Sequence, residues 1–130
     1  RRGYSPNMLA NIVLATLALN ATVGLYMHGA RLPKGVVAFH GSFALVTLAI
    51  WVVYLVQDRP PELAWTALIV VLLVNGLGDA AVVRKWKRKE DGGLGLVGTY
   101  LQRVKRPILL AHTTGGGLNV VLILLVALGY

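Results

Sequence analysis

Residues 35–56, GVVAFHGSFALVTLAIWVVYLV, hold no Asp, Glu, Lys or Arg. A helix over this stretch is long enough to cross a hydrocarbon core about 30 Å thick, which takes about 20 apolar residues. Polar turns bound it on both sides: Ala30-Arg31-Leu32-Pro33-Lys34 before, and Gln57-Asp58-Arg59-Pro60-Pro61-Glu62 after. Working outward, three more stretches of the same kind appear, at about 8–27, 63–83 and 108–128. The four spans use most of the 130 residues, so the fold class is all-α: one integral membrane domain over 1–130, built as a four-helix bundle with alternating up-down topology.

Composition agrees. Hydrophobic residues make up 56% of the chain and charged residues only 14%, with a mean hydropathy of +0.67, far from a water-soluble domain of this size. No mass is left for a separate soluble catalytic domain. The absence of cysteine removes disulfides, thiolate nucleophiles and Cys-held metal centres. Nothing in the spans resembles a nucleophile-base pair, a phosphate loop or a glycosidase carboxylate pair, so soluble-type hydrolysis is not expected. The chain opens Arg1-Arg2-Gly3 without Met, and no Ala-x-Ala-like site precedes Arg31, so the first span is expected to be retained and not cleaved as a signal.

The net charge of +8 is concentrated between spans. Loops 29–34 and 84–106 carry Arg31, Lys34, Arg84, Lys85, Lys87, Arg88, Lys89, Arg103, Lys105 and Arg106, ten of the thirteen basic residues. The positive-inside rule therefore puts both loops in the cytoplasm, with a bacterial inner membrane as the expected location. Arg1 and Arg2 oppose this orientation. The run Arg84-Lys85-Trp86-Lys87-Arg88-Lys89 directly follows a span, which points to anionic lipid and away from nucleic acid. Trp51, Tyr54 and Trp65 are expected near the opposite headgroup boundary.

Polar side chains inside spans call for a partner or a purpose. His40 lies six residues beyond Lys34 and His112 six beyond Arg106, so each sits about 9 Å inside the basic boundary at 1.5 Å per residue. Spans two and four are parallel in this topology, which sets two imidazoles at matched depth across the bundle core. That spacing suits the two axial ligands of a haem. His112, Gly116 and Asn119 share a helix face, Gly115 and Gly117 stand alongside, and Gly41 follows His40, so glycine leaves room beside a flat ring. Arg31, Lys34 and Arg106 at the same edge suit anionic propionates. His28 ends a stripe Thr16, Asn20, Gly24, His28 and is the alternative ligand. Each feature also has a plainer role: interfacial histidines bonded to water, glycines for close helix contact, and Asn11, Asn20 and Asn119 as interhelical hydrogen-bonding groups. Asp79, one turn from Asn75, is either a proton carrier or polar partner of a ligating imidazole, or an ion pair with Arg84 or Lys85.

The strings Val37-Ala38-Phe39-His40-Gly41-Ser42-Phe43-Ala44-Leu45 and Leu109-Leu110-Ala111-His112-Thr113-Thr114-Gly115-Gly116 resemble the ligand-bearing helix starts of small four-helix b-type cytochromes, akin to cytochrome b561 and ferric-reductase-like membrane domains. The resemblance implies one haem b, electron transfer at one face, and a quinone or another membrane subunit as partner. Members with two haems carry a second histidine pair; this chain has none on the outer side, so one haem is the limit. Two other functions fit the residues: a cofactor-free accessory subunit of a larger membrane complex, and a small proton-coupled transporter working through Asp79 and the histidines.

Overall fold

The computed structural model describes residues 6–27, 34–87 and 107–130, with side chains described at 8–27, 35–82 and 107–130. Four helices account for them: α1 (Pro6–Tyr26), α2 (Lys34–Val56), α3 (Pro61–Lys87) and α4 (Pro107–Ala127). Three of the four open on proline, whose fixed φ and missing N–H suit a first helical turn. The expected spans are all present. The largest difference is at the end of α3, which continues to Lys87 into the basic segment, while its apolar part ends at Val82. Basic residues can stay helical there because a helix end leaving the hydrocarbon keeps its internal backbone bonds and solvates only its side chains.

Packing runs α1 against α2, α2 against α3, α3 against α4 and α4 against α1, which leaves α2 and α4 on one diagonal and α1 and α3 on the other. Neighbours are antiparallel. The early His40 of α2 meets Gly78 in the second half of α3, the early His112 of α4 meets the late Gly24 of α1, and the late Trp51 of α2 meets the early Ala10 of α1. The turn between α2 and α3 is tight: Asp58 and Arg59 both take left-handed backbone (φ 52° and 61°), and Arg59 N–H donates to the Tyr54 carbonyl at 3.1 Å. This closes α2 and lets α3 begin at once.

All four helices are long and apolar enough to cross a membrane, with only 11–33% of each apolar window buried inside the bundle. Leu19, Phe39, Leu45, Ile69 and Val121 point outward. In water such a surface would drive aggregation, whereas in lipid it is the solvated face. The fold is thus an integral membrane four-helix bundle, and the chain passes the membrane several times.

The interior has two unlike halves. Toward the α2–α3 turn, Ala10, Val13, Leu17, Trp51, Tyr54, Ala64, Ala67, Leu68, Val71 and Ile123 form a closed apolar core. Trp51 and Tyr54 stack with centroids 4.7 Å apart inside this core, and Trp51 is fully buried. They turn inward, where the indole N–H finds an acceptor, the Ala10 carbonyl at 2.9 Å. Trp65 keeps an outward position and is 42% exposed. Replacing Trp51 by Phe should cost about 1 kcal/mol through the lost hydrogen bond, and Trp51→Ala about 3–5 kcal/mol, read as lowered resistance to denaturing detergent.

Candidate functional site

The other half of the bundle is open and gathers most of the polar side chains of the spans into an otherwise apolar lining. Here a cavity of about 360 Å³ is lined by residues of all four helices, among them Asn20, His40, Asn75, His112, Gly116 and Asn119. His40 and His112, contributed by the diagonal pair α2 and α4, meet across it with ring centroids 5.8 Å apart and planes at 70°. The Nδ1 of His40 donates to the Val74 carbonyl of α3 at 2.9 Å. Val74 O is fixed in a helix, so this bond sets both the ring orientation and the position of the imidazole proton.

Glycines let the rings in. A Cβ on Gly24 would stand 3.0 Å from His112 Cε1, and one on Gly78 would stand 3.1 Å from His40 Cε1. Each imidazole edge therefore lies directly on the backbone of a neighbouring helix. The run Gly115-Gly116-Gly117 does the same for two asparagine side chains. Asn75 of α3 donates to the Gly116 carbonyl at 3.2 Å. From α1, the Asn20 amide donates to the His112 carbonyl at 3.0 Å and accepts from the Gly116 N–H at 3.2 Å. Those two backbone groups are four residues apart and are partners in the ordinary helical ladder, so Asn20 bridges both members of one α4 hydrogen bond. The same amide N–H group is 3.1 Å from His112 Nδ1. Cβ atoms on Gly115 and Gly116 would fall 2.7 Å and 2.6 Å from the amide heads of Asn20 and Asn75.

Asn119 is almost wholly buried, and its Oδ1 has no hydrogen-bond partner among the described residues. Asn119 also lines the cavity, where a guest carrying a donor would relieve an unpaired acceptor costing about 1–3 kcal/mol. The hydroxyls of Thr16, Thr47 and Thr113 turn back onto their own helices, and Thr47 and Thr113 line the cavity with that need already met.

Of the residues singled out in the sequence, the structure brings together His40, His112 and Gly116, with Asn119 beside them. Asp79 also lines the cavity but its side chain is exposed. His28, Arg31 and Arg106 lie outside the described residues, as does the side chain of Lys34. The expected ion pair of Asp79 with Arg84 or Lys85 involves side chains outside them too. Gly41 lines the cavity and meets no heavy atom within 4 Å at its Cβ position, so open space lies beside it. Sequence reasoning missed Asn75, Gly24 and Gly78 as contacts of the site, and Asn20 as a partner of His112. The signal was the repeated pattern of asparagine followed one turn later by glycine, Asn20 to Gly24 on α1 and Asn75 to Gly78 on α3.

The donor set restricts what can bind. Two imidazoles are too few for a bare ion such as zinc, which takes four ligands, and no cluster of three His, Cys, Asp or Glu exists among the described residues. A tetrapyrrole supplies four nitrogens of its own and asks the protein for one or two axial ligands. A metal held at about 2.0 Å by two imidazole nitrogens sets the ring centroids about 6 Å apart, close to the spacing here. Two imidazoles meet that requirement in number. Comparison with protein-family models, with characterised proteins and with solved structures gave no match for this chain.

Substituting Gly116 by Ala should push Asn75 off the α4 backbone and cost about 1–3 kcal/mol, measured against Gly117→Ala, whose Cβ meets nothing within 4 Å.

Proposed function

We propose that this chain is a membrane haem-b protein, or the haem-bearing subunit of a larger electron-transfer assembly, with His40 and His112 as axial ligands. The observation that carries the reading is the meeting of two histidines from diagonal helices across a cavity between four apolar spans, centroids 5.8 Å apart. Histidines serving only as interfacial polar groups have no reason to converge. A bound haem would supply one-electron redox chemistry in this site. The chain's own residues do the rest. Val74 holds His40 in the tautomer whose Nε2 carries a lone pair. Gly24 and Gly78 let the imidazoles sit against the helix backbones, and the largely apolar lining favours the less charged state of the site.

The basic residues Arg31, Lys34 and Arg106 complete the proposal as cations for two propionates, and the positive-inside rule puts that edge at the cytoplasmic face of a bacterial inner membrane. The nearest electron partner is then a quinone in the bilayer or a second subunit docked at that face. The same helix starts carry the resemblance to b561-like and ferric-reductase-like domains, and the single histidine pair supports a one-haem version.

A reduced-minus-oxidised spectrum with a pyridine haemochrome assay on the detergent-purified protein tests this directly. The expected result is about one haem b per chain, with the low-spin signal lost in both His40→Ala and His112→Ala while helix content stays unchanged. A colourless, well-folded protein would end the cytochrome reading in favour of an accessory subunit, for which the Asn20 and Asn75 cross-ties already provide the helix contacts.

A further inference from the structure

The two helical hairpins of the bundle, α1–α2 and α3–α4, repeat one another. A single register sets Leu9, Ala10, Leu14 and Gly24 of α1 on Leu63, Ala64, Leu68 and Gly78 of α3, each pair identical. A second register sets His40 of α2 on His112 of α4, Thr47 on Asn119 and Trp51 on Ile123. The structure treats the partners alike. Ala10 and Ala64 both belong to the apolar core, Trp51 and Ile123 are both fully buried, and Thr47 and Asn119 are the buried non-aromatic polar side chains among the described residues. The paired helices lie across the two diagonals of the bundle and run parallel, so the hairpins are related by a two-fold axis along the membrane normal.

The site lies on that axis. His40 donates to the Val74 backbone of α3 and its ring edge rests on Gly78, one turn further along; His112 bonds the Asn20 backbone of α1 and its ring edge rests on Gly24, again one turn further along. Val74 and Asn20 are counterparts in the first register, as are the two glycines. Each imidazole is therefore held by the same pair of backbone features, an acceptor and a glycine four residues later. The cavity lining pairs in the same way, Leu17 with Val71, Val37 with Leu109 and Ala44 with Gly116.

From this repeat we infer that His40 and His112 are interchangeable halves of one site, which takes a haem b in two orientations, with either face toward His40. The inference rests on the haem reading above. A half-turn of haem b about the line that runs between its propionates exchanges its faces and leaves both propionates at the same edge, while vinyl and methyl groups trade places along the rest of the rim. A site with exact two-fold symmetry could not tell the two orientations apart. Asn20 and Asn75 depart from the symmetry, but their amides are turned onto the α4 backbone. The departure left facing the cavity is seven residues, about 10 Å, beyond the histidines. There the Thr47 hydroxyl is spent on the Phe43 carbonyl at 2.9 Å, whereas Asn119 keeps its Oδ1 unpaired. Vinyl and methyl groups offer neither side chain a hydrogen bond, so the two ends differ toward the ring only in shape, and the bias between orientations is small.

The test is the proton NMR spectrum of the ferric, haem-loaded full-length chain in detergent, recorded once the haem has equilibrated. Each orientation gives four shifted haem methyl signals, so eight are expected, in two sets whose intensities lie within about tenfold of each other. Asn119→Thr makes the inner ends alike and should bring the two sets closer to equal; Thr47→Asn makes the same comparison from the other side if the first variant fails to fold. In the haem-free chain, imidazole 15N shifts should show both rings protonated on Nδ1, assigned by His40→Ala and His112→Ala. A single set of four methyl signals overturns the interchangeable site and leaves the haem reading standing. Opposite tautomers in the two rings overturn their equivalence without any haem. A ratio that neither substitution moves removes Asn119 as the source of the bias. A chain that takes up no haem overturns the haem reading, and the two orientations fall with it.

Discussion

A side-chain amide in hydrocarbon must be hydrogen-bonded by protein, and the polar half of this bundle is organised around that constraint. The solution is a helix whose backbone is laid bare. Gly115, Gly116 and Gly117 remove three consecutive side chains from α4, and Asn20 and Asn75 come in from α1 and α3 to use the exposed N–H and C=O groups. Glycine in a helix ordinarily costs about 1 kcal/mol relative to alanine, and here the cost is offset by two cross-helix ties that no other residue would permit. The positions of both imidazoles follow from the same economy of volume, since each is seated on a glycine of a neighbouring helix.

The two halves of the interior divide the work. Aromatic and branched side chains close the half near the α2–α3 turn, and dispersion between interdigitated side chains holds helices together where lipid offers no hydrophobic drive. The half near the starts of α2 and α4 is built from small and polar residues and encloses a cavity. A binding site needs space and fixed donors, and both destabilise a bundle. Confining them to one end lets the other end carry the stability.

The helices and their order were legible in the sequence because length and the absence of charge suffice to identify a membrane span. The pairing of His40 with His112 was legible too, from two identical distances to a basic boundary in a topology that makes their helices parallel. Facing was not. A span that is apolar on every side carries little periodic signal, so the inward turn of Trp51 and Tyr54, expected at the headgroups, could not be read from spacing alone. Asn20 and Asn75 were hidden for a related reason: their partners are backbone atoms of α4, and a backbone acceptor leaves no mark in the sequence except the glycines that expose it.

The bond from the Trp51 indole to the Ala10 carbonyl acts at a distance. Ala10 and Asn20 lie on one rigid helix, ten residues or about 15 Å apart. A slide of α1 by a single residue would turn it by about 100°, break the indole bond and carry the Asn20 amide away from His112 in the same movement. Trp51 therefore works as an indexing pin: it does not line the cavity, yet it fixes the rotational phase at which α1 delivers its amide there.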